Sequence, residues 1–231
     1  MSATIEIADG VAIITMDDGK ANAINPGMLL ALNHCLDRAE LEAKAIALVG
    51  REQRFSAGFD LTVLASATPS ASRNLVRDGG RLAARLYGCP VPVVAACTGH
   101  AIAMGSLLLL SCDIRIGAKG PFKIGTNETA IKMNLPTFAI ELLKARISPR
   151  HLTEAAINGH LYGPEGAESA GFLDALVAAD DVINAAISRA RGLKVLAGPH
   201  FAANKNRIRE HTLKILEQVP VHYVLLENSD L

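Results

Sequence analysis

Val93-Val94-Ala95-Ala96-Cys97-Thr98-Gly99-His100-Ala101-Ile102-Ala103-Met104-Gly105-Ser106-Leu107-Leu108-Leu109-Leu110 is the centre of the longest charge-free stretch of the chain, which runs from Leu86 to Cys112. An apolar run, a glycine-punctuated break and a second apolar run read as a buried strand, a turn and a buried helix. A turn between two buried elements carries backbone N–H groups into the interior at a helix N-terminus, where they have no intrahelical partner. The helix dipole adds partial positive charge there. An oxygen that gains negative charge during a reaction answers both needs. The stretch is long enough to cross a bilayer. However, Pro90 and Pro92 restrict its start, Gly99, His100 and Gly105 interrupt its middle, and no Lys/Arg-rich flank sets an orientation. The buried strand-turn-helix is the better reading.

Outward from this turn, strands and helices alternate. Thr4–Ala8 and Val11–Met16 flank Asp9-Gly10, a two-residue hairpin signal. Pro26 opens a helix whose apolar face is Met28, Leu29, Leu32 and Leu36. Ala45–Val49 reads as a buried strand paired with Val91–Cys97. The intervening Arg54–Leu61 reads as a loop bent at Gly58, followed by a helix over Pro69–Gly88. On that helix Arg73, Arg77, Arg81 and Arg85 recur every four residues and read as a solvated face. Beyond the central turn come a helix over Met104–Ser111 and strands at Asp113–Ala118 and Phe122–Ile124. Helices then start at Pro136, at Ser148-Pro149 and at Gly163-Pro164. A strand over Leu173–Val177 precedes helices over Ala179–Arg191 and Pro199–Gln218. The pattern predicts one α/β domain, with a core over 1–192 and a helical region over 193–231.

Composition narrows the partners. Lys+Arg and Asp+Glu balance at 23 each, which gives no electrostatic case for nucleic acid or an anionic membrane. Half the residues are hydrophobic and a fifth charged, as in a compact α/β protein. The four cysteines form no C-x-x-C pair and sit mostly in apolar segments, and Met1-Ser2-Ala3-Thr4 has neither a basic start nor an apolar signal core. A reducing, cytoplasmic setting is expected.

Three loops carry candidate chemistry. In Phe55-Ser56-Ala57-Gly58-Phe59-Asp60-Leu61, Gly58 lets the backbone approach a ligand, and the Phe59 N–H can point inward. At the opening turn the Met104 N–H begins a helix. Two such donors converging on one carbonyl oxygen make an oxyanion hole, in which one donor is worth roughly 3 kcal/mol of barrier. In Gly125-Thr126-Asn127-Glu128-Thr129, Glu128 reads either as an acid stabilising a helix start or as a general base whose pKa is raised by burial. Other schemes are weaker. His100 and Ser106 lack a G-x-S-x-G elbow, and a lone His beside a buried turn reads as a structural hydrogen-bonder. His151 and His160 lack metal-ligand spacing, and neither a P-loop nor G-x-G-x-x-G occurs.

Taken in order, these segments resemble the crotonase (enoyl-CoA hydratase/isomerase) superfamily over nearly the whole chain. Lys20-Ala21-Asn22-Ala23-Ile24-Asn25 is similar to its K-A-x-N-A-x segment and Phe55–Leu61 to its F-(S/C)-A-G-x-D-L loop. Gly99–Gly105 with Cys112-Asp113-Ile114-Arg115 is similar to G-x-A-x-(A/G)-G-G and C-D-x-R, and Ala170–Asp174 to A-G-L-V-D. The resemblance implies a spiral of ββα units with a helical C-terminal trimerisation region, often paired into hexamers. It implies an acyl-CoA thioester substrate, its enolate held by the N–H groups of Phe59 and Met104, and no cofactor beyond the coenzyme A of the substrate. Lys20, Ala21 and Ala23 would lie along the pantetheine or phosphate end and Ala57 on the adenine side. Gly58, Asp60, Leu61, Gly105 and Leu107 complete the substrate-binding set, and Lys205, Arg207 and Arg209 would reach a neighbouring subunit's coenzyme A.

Three departures matter. Met104 stands where the family usually has Gly. Leu107 stands where hydratases carry the first of two glutamates, the second aligning with Glu128; an apolar residue there with an Asn-Glu-Thr segment resembles the Δ3,Δ2-enoyl-CoA isomerases. Lys132 stands where relatives tend to have Gly, and would either pair with Glu128 or face solvent. The ClpP-like peptidase branch carries its serine where this chain has Ala103, which argues against proteolysis. The expectation is an isomerase using Glu128 alone. The alternatives are a hydratase and a catalytically silent acyl-CoA-binding homologue.

Overall fold

The computed structural model describes residues 2–65 and 69–218. Strands β1 (Ala3–Ala8) and β2 (Val11–Met16) form the expected hairpin. Asp9 and Gly10 both have positive φ, 52° and 72°, as a type I′ turn requires. After β3 (Ala23–Ile24), helix α1 (Pro26–Glu42) is capped by the Asn25 side chain, which accepts from the Met28 N–H at 2.9 Å. Then follow β4 (Ala45–Val49), β5 (Gln53–Ser56), β6 (Gly58–Phe59), the one-turn helix α2 (Leu61–Leu64) and α3 (Pro69–Gly88). Next come β7 (Val93–Cys97), β8 (Gly99–Ile102), α4 (Met104–Ser111), β9 (Ile114–Ala118), β10 (Ile124–Gly125) and α5 (Thr137–Arg146). The described chain closes with α6 (Pro164–Ala170), β11 (Ala175–Val177), α7 (Val182–Leu193) and α8 (Pro199–Glu217).

A six-stranded sheet runs β1-β2-β4-β7-β9-β11, parallel after the first hairpin. Its central strands are buried on both faces, which is why β4 and β7 read as unbroken apolar runs. Ile46, Leu48, Val93 and Ala95 face the main core, whereas Ala45, Ala47, Val94 and Ala96 pack under Val182, Ala186 and Ala190 of α7. A smaller parallel sheet, β10-β8-β5, stands beside it, and β3 pairs with β6.

This second sheet corrects the sequence reading. The segment between β7 and α4 is not one turn: the chain breaks at Thr98, whose hydroxyl donates to the Arg51 carbonyl at 2.6 Å, and then forms β8. Arg54–Leu61 is not a loop but two short strands and a helix start. Elements of two to four residues are too short to show a period. Arg85 is not merely solvated; it bridges α3 to α1 through Asp37 at 2.7 Å and Glu40 at 2.9 Å. Ser148-Pro149 opens only a short turn leading to a π-type stretch over Thr153–Ile157. In the expected 193–231 region a 3-10 turn at Lys194–Leu196 and a break at Ala197 and Gly198 precede α8, and residues 219–231 lie outside the described ones. No helix among the described residues is long and apolar enough to cross a membrane.

Candidate active site

The small sheet brings the three loops together. β5, β8 and β10 are parallel, with Ser56 opposite Ala101, and Ile124 and Gly125 opposite Ala101 and Ile102. Their C-terminal ends therefore lie at one edge. Residues 57–59, 103–104 and 126–128 leave from that edge into a cavity of about 130 Å³. Ala57, Phe59 and Leu61 line it from the first loop, Ile102, Ala103 and Leu107 from the second, and Asn127, Glu128, Ile131 and Met133 from the third. Val76 of α3 closes another side. Sequence reading missed Val76, because a cavity wall on an amphipathic helix has the same period as a core face.

Close approach between the first two loops depends on glycine. A Cβ on Gly105 would lie 2.3 Å from the Ser56 carbonyl oxygen, and one on Gly58 2.8 Å from the Ile102 carbonyl oxygen and 3.3 Å from the Met104 nitrogen. Gly58 also has φ +94°. The first loop is pinned from below. Buried Asn22 donates from Nδ2 to the Met16 carbonyl at 2.8 Å and to the Phe55 carbonyl at 3.2 Å, and the Ser56 hydroxyl donates to the Asn22 carbonyl at 2.7 Å. Asn22 is thus the structural centre of the Lys20–Asn25 segment, a role its motif spacing alone does not reveal.

The N–H directions follow from the pairing. Asp60 N–H donates to the Ile24 carbonyl at 3.0 Å, so β3 bonds the residues flanking Phe59 and leaves the Phe59 N–H on the opposite edge of β6. Met104 is the first residue of α4, so its N–H has no partner in that helix. Ala103 before it adopts φ 52°, ψ −124°, a conformation rarely taken by a residue with a side chain. Its N–H donates to the Gly125 carbonyl at 2.9 Å, which ties this turn to the Glu128 loop.

Glu128 is buried, and its Oε2 has no hydrogen-bond partner in the described structure. Burial pushes its pKa up to about 7, against the smaller opposing effect of its own and Asn127's backbone N–H. Lys132 does not pair with it but is exposed, at φ 60°, ψ 38°. Glu128 is the one ionisable side chain among the described residues lining the cavity.

The enoyl-CoA hydratase/isomerase family pattern matches residues 6–221. The chain belongs to this family. It is 37% identical over 115 residues to a probable enoyl-CoA hydratase of Rhodobacter capsulatus, covering 49% of this chain and 45% of that protein. It is 30% identical over 183 residues to human mitochondrial enoyl-CoA delta isomerase 1, covering 78% of this chain and 61% of that protein. The match thus spans less than two thirds of the length of each of these curated relatives. A solved enoyl-CoA hydratase, EchA3 of Mycobacterium ulcerans, superposes with a TM-score of 0.92 at 38% identity, covering 95% of this chain and 96% of that one. The fold is accordingly crotonase-like, as the resemblance implied.

Within this family member, the residues expected at the site divide. Ala57, Phe59, Leu61, Leu107 and Glu128 share the cavity wall. Met104 is buried and its side chain is not on that wall, and Gly58 and Gly105 lie where the two loop backbones cross. The Asp60 carboxylate caps α2, accepting from the Thr62 N–H at 2.9 Å. Ala21 and Ala23 lie beside the first loop, Ala21 through its carbonyl, which accepts from the Ala57 N–H at 3.0 Å, and Ala23 through its pairing with Gly58; Lys20 is exposed nearby. Lys205 and Arg209 are engaged within the chain rather than extended toward a neighbour: each meets Asp113 at 2.8 Å. Of that trio only Arg207 is exposed. His100 accepts from the Lys123 N–H at 3.0 Å, the structural role expected of it.

Proposed function

We propose that this chain is a Δ3,Δ2-enoyl-CoA isomerase in which Glu128 is the sole acid/base. The observation carrying this reading is the cavity wall, where among the described residues Glu128 is the only ionisable one and Leu107, which the resemblance aligns with the first glutamate of hydratases, contributes an apolar side chain. Hydration must both activate a water and deliver a proton to carbon, work that two carboxylates divide naturally. Moving a double bond needs one. The Glu128 carboxylate removes a proton from C2 of a 3-enoyl thioester, and the electron pair moves onto the thioester oxygen. That oxygen is held by the N–H groups of Phe59 and Met104. The protonated Glu128 then returns its proton at C4, and the double bond comes to rest between C2 and C3. A pKa near 7 suits a group that must both take and give a proton. In this reading coenzyme A enters only as part of the substrate, along Lys20, Ala21 and Ala23, and no other cofactor takes part.

Glu128→Gln is expected to lower turnover of a 3-enoyl-CoA by about 10²–10⁴-fold while the thioester still binds. Wild-type turnover should fall as pH drops below about 7, as the base becomes protonated. Full activity in the variant would remove the reading. The hydratase alternative is favoured by the names of the Rhodobacter and Mycobacterium relatives. It predicts 3-hydroxyacyl-CoA formation from a 2-enoyl-CoA at a rate rivalling isomerisation. Thioester binding without turnover on either substrate would identify a silent binding homologue.

A further inference from the structure

We infer that Gly79, in the middle of α3, is a positioning residue that sets the depth of the cavity through the ring of Phe59. The inference rests on the reading that the cavity receives an acyl group. A Cβ on Gly79 would lie 2.5 Å from both Cε1 and Cζ of Phe59, far inside van der Waals contact. It would lie 3.5 Å from Cε of Met104. The side chains of both residues assigned to the thioester oxygen therefore come to rest at one bare position of α3. A glycine inside a helix costs about 0.5–1 kcal/mol relative to alanine. Gly79 is not among the glycines with positive φ, so backbone conformation does not demand it there. What demands it is space, and the Phe59 ring fills that space.

Phe59 also lines the cavity, so this residue stands between Gly79 and the cavity. Val76, one turn earlier on the same helix, lines the cavity directly. A methyl group at position 79 must displace the ring by ~1 Å to restore normal contact. α3 is a rigid neighbour on one side, so the ring yields toward the cavity. In a volume of about 130 Å³ that displacement removes room where an acyl chain would end.

The test is calorimetric binding of butanoyl-CoA and octanoyl-CoA to the wild type, Gly79→Ala, Phe59→Leu and the double variant. Gly79→Ala is expected to weaken octanoyl-CoA at least about tenfold and butanoyl-CoA less than about threefold. Phe59→Leu, which recesses the wall, should shift the ratio toward octanoyl-CoA, and the double variant should match Phe59→Leu. Equal weakening of both thioesters, persistence of the Gly79→Ala loss in the double variant, or an unaltered ratio in Phe59→Leu overturns the inference. The last criterion decides the matter even if Gly79→Ala does not fold. Binding of saturated thioesters requires no turnover. An absence of isomerisation would thus overturn the proposed reaction and leave this test standing.

Discussion

Glu128 is destabilising in its charged form, and that makes it measurable apart from catalysis. Its pKa rises from an ordinary 4.5 to about 7 on burial. Between those values the folded chain binds more protons than the unfolded one, so stability falls as pH rises through the window. Below about pH 4.5 the carboxyl is neutral in both states and the penalty is absent; above pH 7 it is fully present. A rise of that size corresponds to about 3 kcal/mol. Glu128→Gln should therefore raise the melting temperature at pH 8 and leave it nearly unchanged at pH 4.5, measured by calorimetry on both proteins. Equal melting temperatures at pH 8 would show that the carboxylate is well solvated after all. The base reading of Glu128 was available in the sequence only through its neighbours: nothing in Asn127-Glu128-Thr129 distinguishes a buried base from a helix-start acid.

At the scale of elements, α8 is held to the sheet by charge rather than by apolar area alone. Asp113, just before β9, meets Lys205 and Arg209 and also accepts from the Val93 N–H at 2.8 Å. Lys205 is almost fully buried, and burial lowers its pKa despite the nearby carboxylate. Asp113→Ala leaves two cations facing each other without a counter-charge. It should cost roughly 3–5 kcal/mol in urea unfolding, the usual penalty for breaking a buried pair. A cost below about 1 kcal/mol would mean that water already solvates the pair. The long elements were legible because each spans several periods: α1 and α3 show their apolar faces, and β4 and β7 their unbroken burial. β6 and β10, of two residues each, have no period to show, yet the segments that leave them reach the cavity. Lys205 and Arg209 read as cations reaching for a neighbouring subunit's coenzyme A because the sequence does not say that Asp113 lies beneath them.

Across the whole molecule, large apolar side chains are exposed at scattered places, among them Leu41, Leu61 and Ile157 as well as three nearer the C-terminal end. Val195 is 77% exposed, Leu196 55% and Ile208 84%. The family resemblance implies a trimer, for which light scattering should find about three times the 24.3 kDa chain mass, with a lone-chain mass opposing it. The overall fold was readable because its motifs occur in a fixed order, each weak alone. The geometry of the cavity was not, since it depends on where backbones cross, as Gly105 does against Ser56. One such crossing has a mechanical consequence. The bond from the Ala103 N–H to the Gly125 carbonyl joins the turn before Met104 to the strand that leads to Glu128. Movement of either segment is thereby passed to the other through a single backbone bond. On the isomerase proposal, lengthening the chain between Gly125 and Glu128 would leave the two N–H donors in place and shift the carboxylate relative to them, uncoupling proton transfer from the hold on the thioester oxygen.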